Sequence, residues 1–175
     1  MTLFVVVVLA VGLERLAELV VSKRNLSWAL GAGGVEYGRS HYPPMVVLHV
    51  GLLVGCLIEV AVADRSAPPL LAGVALAVVV AAQALRWWCI STLGRQWNTR
   101  VMIVPSVPLI TGGPYRWMKH PNYVAVAAEG LALPLVGGAW VTALVFTVLN
   151  AVLLLAVRIP VEDRALARVD AGGGR

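Results

Sequence analysis

Residues 113–123 read Gly-Pro-Tyr-Arg-Trp-Met-Lys-His-Pro-Asn-Tyr, and this segment has a physical logic. Pro121 suits the first turn of a helix, where its missing N–H costs nothing. His120 and Asn122 then sit at a helix entrance whose free backbone N–H groups attract anionic or acceptor groups. Tyr123 falls just inside that helix, and Tyr115 approaches from the preceding turn. A His beside a proline often serves structure alone, but a loop this dense in aromatic and polar side chains points to a ligand site. Arg158 and Glu162 form a second set, four residues apart and on one face if a helix continues through Pro160. The bland alternative is a snorkelling arginine at a solvated exit turn. A third set lies inside apolar sequence: Glu14 and Glu18 at i, i+4, Arg15 within reach of Glu18, and Glu129. Acids within a membrane are costly unless paired or facing water, so they count as candidate catalytic groups. A packing knot centred on Arg15 is the competing account.

The elements that must position these residues follow from composition. The chain has 175 residues, 59% hydrophobic and 13% charged, with a mean hydropathy of +0.84. A soluble domain is about 45–50% apolar and about 25% charged, so this chain has too little polar surface to cover a water-soluble globule. Disorder is excluded for the same reason. The net charge of +5 does not indicate nucleic-acid binding, because the basic residues are few and sit between apolar runs. The expected fold is all-α: one integral membrane helical bundle over residues 1–175, with about five transmembrane helices. The runs are Thr2–Val21, Pro43–Val62, Pro69–Ile90, Asn122–Val136 and Ala139–Val157. Gly137–Gly138 leaves a tight turn, making the last two a hairpin, and Pro134 leaves open whether the fourth crosses fully.

Charge placement sets an expected orientation. Lys23, Arg24 and Arg39 follow the first run, Arg95, Arg100, Arg116 and Lys119 lie between the third and fourth, and Arg158, Arg164, Arg168 and Arg175 follow the fifth. Arg65 alone lies on the opposite side. The positive-inside rule then places the N-terminus outside a bacterial inner membrane and the C-terminus in the cytoplasm, with the site on the cytoplasmic face. Cys56 and Cys89 lie in apolar runs and read as core. Gly31–Gly34 is no phosphate loop, no metal-ligand spacing links His41, His49 and His120, and no serine nucleophile elbow is present.

With these residues in place, the chain resembles the isoprenylcysteine carboxyl methyltransferase family of integral-membrane enzymes. The match rests on Pro108–Leu109–Ile110–Thr111–Gly112–Gly113–Pro114–Tyr115, then Lys119–His120–Pro121–Asn122–Tyr123, then Arg158 and Glu162 after the next hairpin. The resemblance implies S-adenosylmethionine as cofactor, bound by the C-terminal half at about residues 92–170. Val107, Pro108, Leu109, Ile110, Tyr115, His120, Pro121, Asn122, Tyr123 and Glu162 would hold it. It assigns Arg158 to the substrate, with Trp97 and Asn98 as substrate residues beside it.

The chain looks closer still to short bacterial members. It shares with them the Arg15–Glu18 region, Lys23–Arg24–Asn25, His41–Tyr42–Pro43 and Trp97–Asn98–Thr99. Such members look associated with type III polyketide synthases, which implies O-methylation of a phenolic or pyrone lipid. The aromatic segment that follows the glutamate in prenylcysteine-methylating members has no counterpart after Asp170, and Lys119 stands where arginine is commoner. A phenol with a pKa of about 10 would need a base, and Glu14, Glu18, Glu129 and His120 all remain open for that role, with Arg158 steadying the oxyanion. Prenylcysteine-type carboxyl methylation, an NADPH-dependent membrane reductase and a non-catalytic scaffold are the alternatives.

Overall fold

The computed structural model describes residues 1–63 and 66–172, with side chains through residue 167. Arg65, Arg175 and the side chain of Arg168 therefore lie outside the described residues. The elements in chain order are α1 (Thr2–Gly31), β1 (Val35–Tyr37), α2 (Tyr42–Ala63), α3 (Pro69–Leu93), β2 (Val101–Ile103), α4 (Pro121–Gly137), α5 (Trp140–Val152) and α6 (Ile159–Gly172).

Three segments, Arg39–Ala63, Pro69–Gln96 and Trp140–Ala167, are long and apolar enough to cross a membrane. The expectation of about five such spans is thus met for three. In α1, Glu14, Arg15 and Glu18 interrupt the apolar stretch, and α4 has only 17 residues with Pro134 inside. Leu3, Val6, Leu9, Leu13 and Leu16 of α1 are nonetheless each more than half exposed, an apolar face that water would not tolerate at this extent. The bundle interior is built by Phe4, Val8 and Val11 of α1, Leu52 and Cys56 of α2, Leu133 of α4 and Phe146 of α5. Both cysteines are free and buried, as their apolar surroundings predict.

The hairpin between α4 and α5 turns on Gly138, which takes a left-handed conformation at φ 81°. A Cβ there would also meet the Ala67 nitrogen at 3.0 Å, so glycine suits the turn on both counts.

Three local features depart from the expected runs. The first helix does not stop near Val21 but continues through Lys23 and Arg24 to Gly31, because no Gly or Pro interrupts residues 22–30. The short antiparallel pair of β1 and β2, with Glu36 opposite Met102, was not foreseen; three-residue strands leave little periodicity in a sequence. Finally, α5 does not end in a solvated exit turn. It runs through a widened π-helical stretch, Leu153–Arg158, directly into α6. Pro160 lacks the N–H and crowds the preceding turn that a regular helix needs, and the wider turn just before it accommodates both. The result buries Arg158 at 4% exposure instead of letting it snorkel.

Candidate functional site

A cavity of about 370 Å³ opens where the loop after α3, the start of α4 and the start of α6 meet. That volume falls within the range of small-ligand sites. Its wall is assembled from parts distant in sequence, and the far end of α1 fixes one of them. Asn25 Nδ2 donates to the carbonyls of Gly94 at 3.0 Å and Trp97 at 2.7 Å. The Ser22 hydroxyl donates to Asn98 Oδ1 at 2.9 Å and accepts from the Thr99 N–H at 3.1 Å. Two polar residues on one helix turn thereby clamp residues 94–99 against α1. Beyond the clamp, Arg100 pairs with Glu36 at 2.7 Å and lies over the Tyr42 ring at 4.3 Å. On the far side, Ala165 and Leu166 of α6 pack on Val101 and Ile103 of β2.

Arg158 reaches this wall from the π-helical stretch. Its Nη2 donates to the Thr99 carbonyl at 3.0 Å, and its guanidinium carbon lies 5.8 Å from the Tyr123 ring centroid. Tyr123, in the first turn of α4, donates through its hydroxyl to Glu162 Oε2. His120 stacks on Tyr123 with centroids 5.4 Å apart. Its Nδ1 lies 3.7 Å from Glu162 and its Nε2 3.1 Å from Asp163, while Lys119 holds Asp163 at 2.6 Å.

These contacts set the protonation. Hydrogen bonding to Glu162 raises the His120 pKa above its ordinary value, against the opposing effect of burial. Burial pushes the Tyr115 phenol up.

The cavity brings together Trp97, Asn98, Val107, Leu109, Ile110, Tyr115, His120, Asn122, Tyr123, Arg158 and Glu162. Pro108 and Pro121 do not line it. Pro108 offers its carbonyl to Gln96 at 3.2 Å, and Pro121 is buried at the start of α4. Glu14, Glu18 and Glu129 also lie away from this lining. They join Arg15 and Arg86 in a buried group: Arg15 bonds both Glu18 and Glu129 at 2.8 Å, and Arg86 lies 3.4 Å from Glu18 and 3.5 Å from Glu129. Glu14 accepts from Gln83 and Trp87. The Arg15-centred knot is the arrangement the packing produces, and it ties α1, α3 and α4 together. Sequence reasoning missed Ser22, which holds the loop, and gave no role to Asp163, which completes the His120 pair. Ser22 sits one turn beyond Glu18, and nothing but tertiary contact distinguishes it from a solvated serine.

A helical membrane protein with a polar cavity at the ends of its helices is the class these features define. The model of the isoprenylcysteine carboxyl methyltransferase family matches residues 74–168, and the chain belongs to that family. Its members are S-adenosylmethionine-dependent methyltransferases, so membership makes this a membrane methyltransferase by kind. YpbQ, an uncharacterized protein of Bacillus subtilis (strain 168), is 40% identical over 153 residues, covering 87% of this chain and 90% of that protein. An uncharacterized protein of Haemophilus influenzae is 27% identical over 156 residues, covering 89% of this chain and 90% of its own length. No solved structure matches the chain.

Proposed function

We propose that the protein transfers a methyl group from S-adenosylmethionine to an oxygen of a membrane lipid, with a phenolic or pyrone head group as the acceptor. The observation that carries this reading is the union in one cavity of Arg158 with the Tyr123–Glu162–His120 group. The residues present fit the cofactor. Glu162 offers a carboxylate to amino or hydroxyl groups, and Asn122 Oδ1 is a buried acceptor without a hydrogen-bond partner. Val107, Leu109 and Ile110 offer apolar surface, and the start of α4 offers backbone N–H groups. When bound, S-adenosylmethionine supplies a methyl group already activated on a sulfonium.

The chain's own task is then alignment and water exclusion. Arg158 holds the acceptor oxygen, and the clamp on residues 94–99 holds Arg158 through the Thr99 carbonyl. Lys119, Arg95 and Arg100 gather at this cavity, which under the positive-inside rule supports a cytoplasmic site with the N-terminus outside. Five membrane crossings, with α1 and α4 included, accompany that orientation. A type III polyketide synthase would be the source of such a lipid.

The reading is tested with protein in lipid nanodiscs. Calorimetry should detect S-adenosylmethionine binding, and labelled methyl should pass to a panel of alkylresorcinols, alkylpyrones and prenylcysteines. Transfer to prenylcysteine alone would replace the acceptor. Binding of NADPH instead of S-adenosylmethionine would replace the reaction.

A further inference from the structure

Among the described residues, His41 is a buried base that neither the cofactor residues nor the Arg15 knot uses. It is 8% exposed, and neither of its ring nitrogens has a hydrogen-bond partner. Its place is fixed by the backbone. The His41 N–H donates to the Gly38 carbonyl at 3.2 Å, and the ring lies against Gly38, where a Cβ would fall 1.7 Å from Nε2. Gly38 takes a left-handed φ of 61°, so glycine suits both the turn and the ring. Burying an imidazole without partners is costly, and its neutral form keeps one bare nitrogen that accepts a proton.

His41 lies close to Arg158. Tyr42, the next residue, sits under the Arg100 guanidinium at 4.3 Å, and Thr99, the residue before Arg100, accepts from Arg158 Nη2 at 3.0 Å. The imidazole and the Arg158 guanidinium thus flank one short segment, and Arg158 and Glu36 are the charged groups that act on His41. Arg158 lines the cavity, with His41 set back from that lining. Arg158 Nε and Nη1 are also buried without partners. A hydroxyl complements the two side chains together: it accepts from the guanidinium and gives its proton towards the imidazole.

The other bases around the site are engaged. Glu162 accepts from Tyr123, His120 is shared between Glu162 and Asp163, and Glu36 pairs with Arg100. Glu18 and Glu129 are bonded to Arg15, and Glu14 accepts from Gln83 and Trp87.

We propose that His41 is the proton acceptor for a hydroxyl-bearing methyl acceptor, drawing the proton through one bridging water while Arg158 holds the oxygen. A base acts across one water as well as by direct contact. This rests on the methyl-transfer reading and adds the residue that makes an un-ionised phenol a substrate at neutral pH. The step balances. The O–H bond breaks and its proton passes along the water to the imidazole. The oxygen–methyl bond forms, and the methyl–sulfur bond breaks with its electron pair left on sulfur. One sulfonium charge disappears and one imidazolium charge appears, with the negative charge of Glu36 nearby to steady it.

The experiment uses the full chain in nanodiscs with S-adenosylmethionine and two acceptors of matched alkyl length. One is an alkylresorcinol, un-ionised near neutral pH; the other is a hydroxypyrone whose enol is already ionised there. The kcat/KM for the resorcinol is divided by that for the pyrone across a pH series, so that titration of the cofactor residues cancels. In the wild type this ratio should rise through the range of about pH 6–8, where imidazoles titrate, and then level off. In His41→Gln it should be at least about a hundredfold lower at neutral pH, and should climb about tenfold per pH unit towards the phenol's pKa of about 10. A wild-type ratio that climbs the same way without levelling off would overturn the proposal, and that arm needs no variant to fold. A His41→Gln ratio equal to that of the wild type, whether both rates hold or both fall together, would reduce His41 to a structural role and overturn it too. Transfer to the pyrone with none to the resorcinol would overturn the role of His41 and leave the methyl-transfer reading intact. No transfer to any acceptor, together with no cofactor binding in calorimetry, would overturn both.

Discussion

Tyr123 donates its hydroxyl hydrogen to Glu162 across the cavity, joining the first turn of α4 to the first turn of α6. The two residues are 39 positions apart, and the whole α4–α5 hairpin lies between them. This bond holds in one place a carboxylate, an aromatic face and, through the stacked His120, an imidazole. Glu162→Gln and Tyr123→Phe should each weaken S-adenosylmethionine binding about tenfold or more, because a charge-assisted hydrogen bond contributes about 1.5–3 kcal/mol. Isothermal calorimetry checks this, and unchanged affinity in both variants would move the cofactor elsewhere.

His120 gives the α4–α6 junction a pH dependence of definite sign. Its folded-state pKa is raised, chiefly by hydrogen bonding to Glu162. The stability it contributes is therefore fully present below its unfolded pKa of about 6.5 and is lost as pH rises through the higher folded value. The difference in thermal midpoint between wild type and His120→Gln should be largest in mildly acidic buffer and shrink in alkaline buffer. A difference that grows with pH would contradict the pairing.

The Arg15 knot is a stability element. Glu129 has a side chain only 3% exposed and is bonded to Arg15 at 2.8 Å. Removing one partner leaves an uncompensated buried charge, so Arg15→Met should cost about 3–5 kcal/mol. Reversible unfolding in detergent–lipid mixtures reads this out. A paired change of Arg15→Met with Glu129→Gln should recover part of the loss, and an additive double variant would show that the two do not couple.

The α1 clamp should act on substrate more than on fold. Asn25→Ala frees the Trp97 and Gly94 carbonyls at a cost of about 1–3 kcal/mol. It should raise the apparent KM for the acceptor several-fold while S-adenosylmethionine affinity changes little. Steady-state kinetics against each substrate separately checks the split. An equal rise in both KM values would make the clamp a general structural element.

Topology is tested by cysteine labelling. Ser66, before α3, and Ser106, in the loop after β2, are both exposed. With Cys56 and Cys89 replaced, a cysteine at 66 should react with an impermeant reagent applied from outside, and one at 106 only after permeabilisation. The reverse pattern would invert the orientation.

Much of this protein was legible along the chain because the governing signals are local. An apolar run of membrane length, a proline at a helix start and a glycine pair at a hairpin act over a few residues, and they placed α2 to α5 within a few positions. The block from Val107 to Tyr123 with Arg158 and Glu162 was legible as a motif, and the family match bears out the membership it implied. Tertiary packing decided what each polar side chain faces. For Glu14, Glu18 and Glu129 the chain left a catalytic role and an Arg15-centred knot both open; the packing of Arg15 on Glu18 and Glu129, with Arg86 beside them, favours the knot, because ion pairing between helices depends on rotation and depth that hydropathy does not encode. For Arg158 the chain left a snorkelling arginine and a site residue both open, and the π-helical stretch before Pro160 turns it inward. Ser22 carried no signal and Asn25 only a place in a shared motif with no role attached, since a clamp between α1 and residues 94–99 exists only once two segments about 70 positions apart come together.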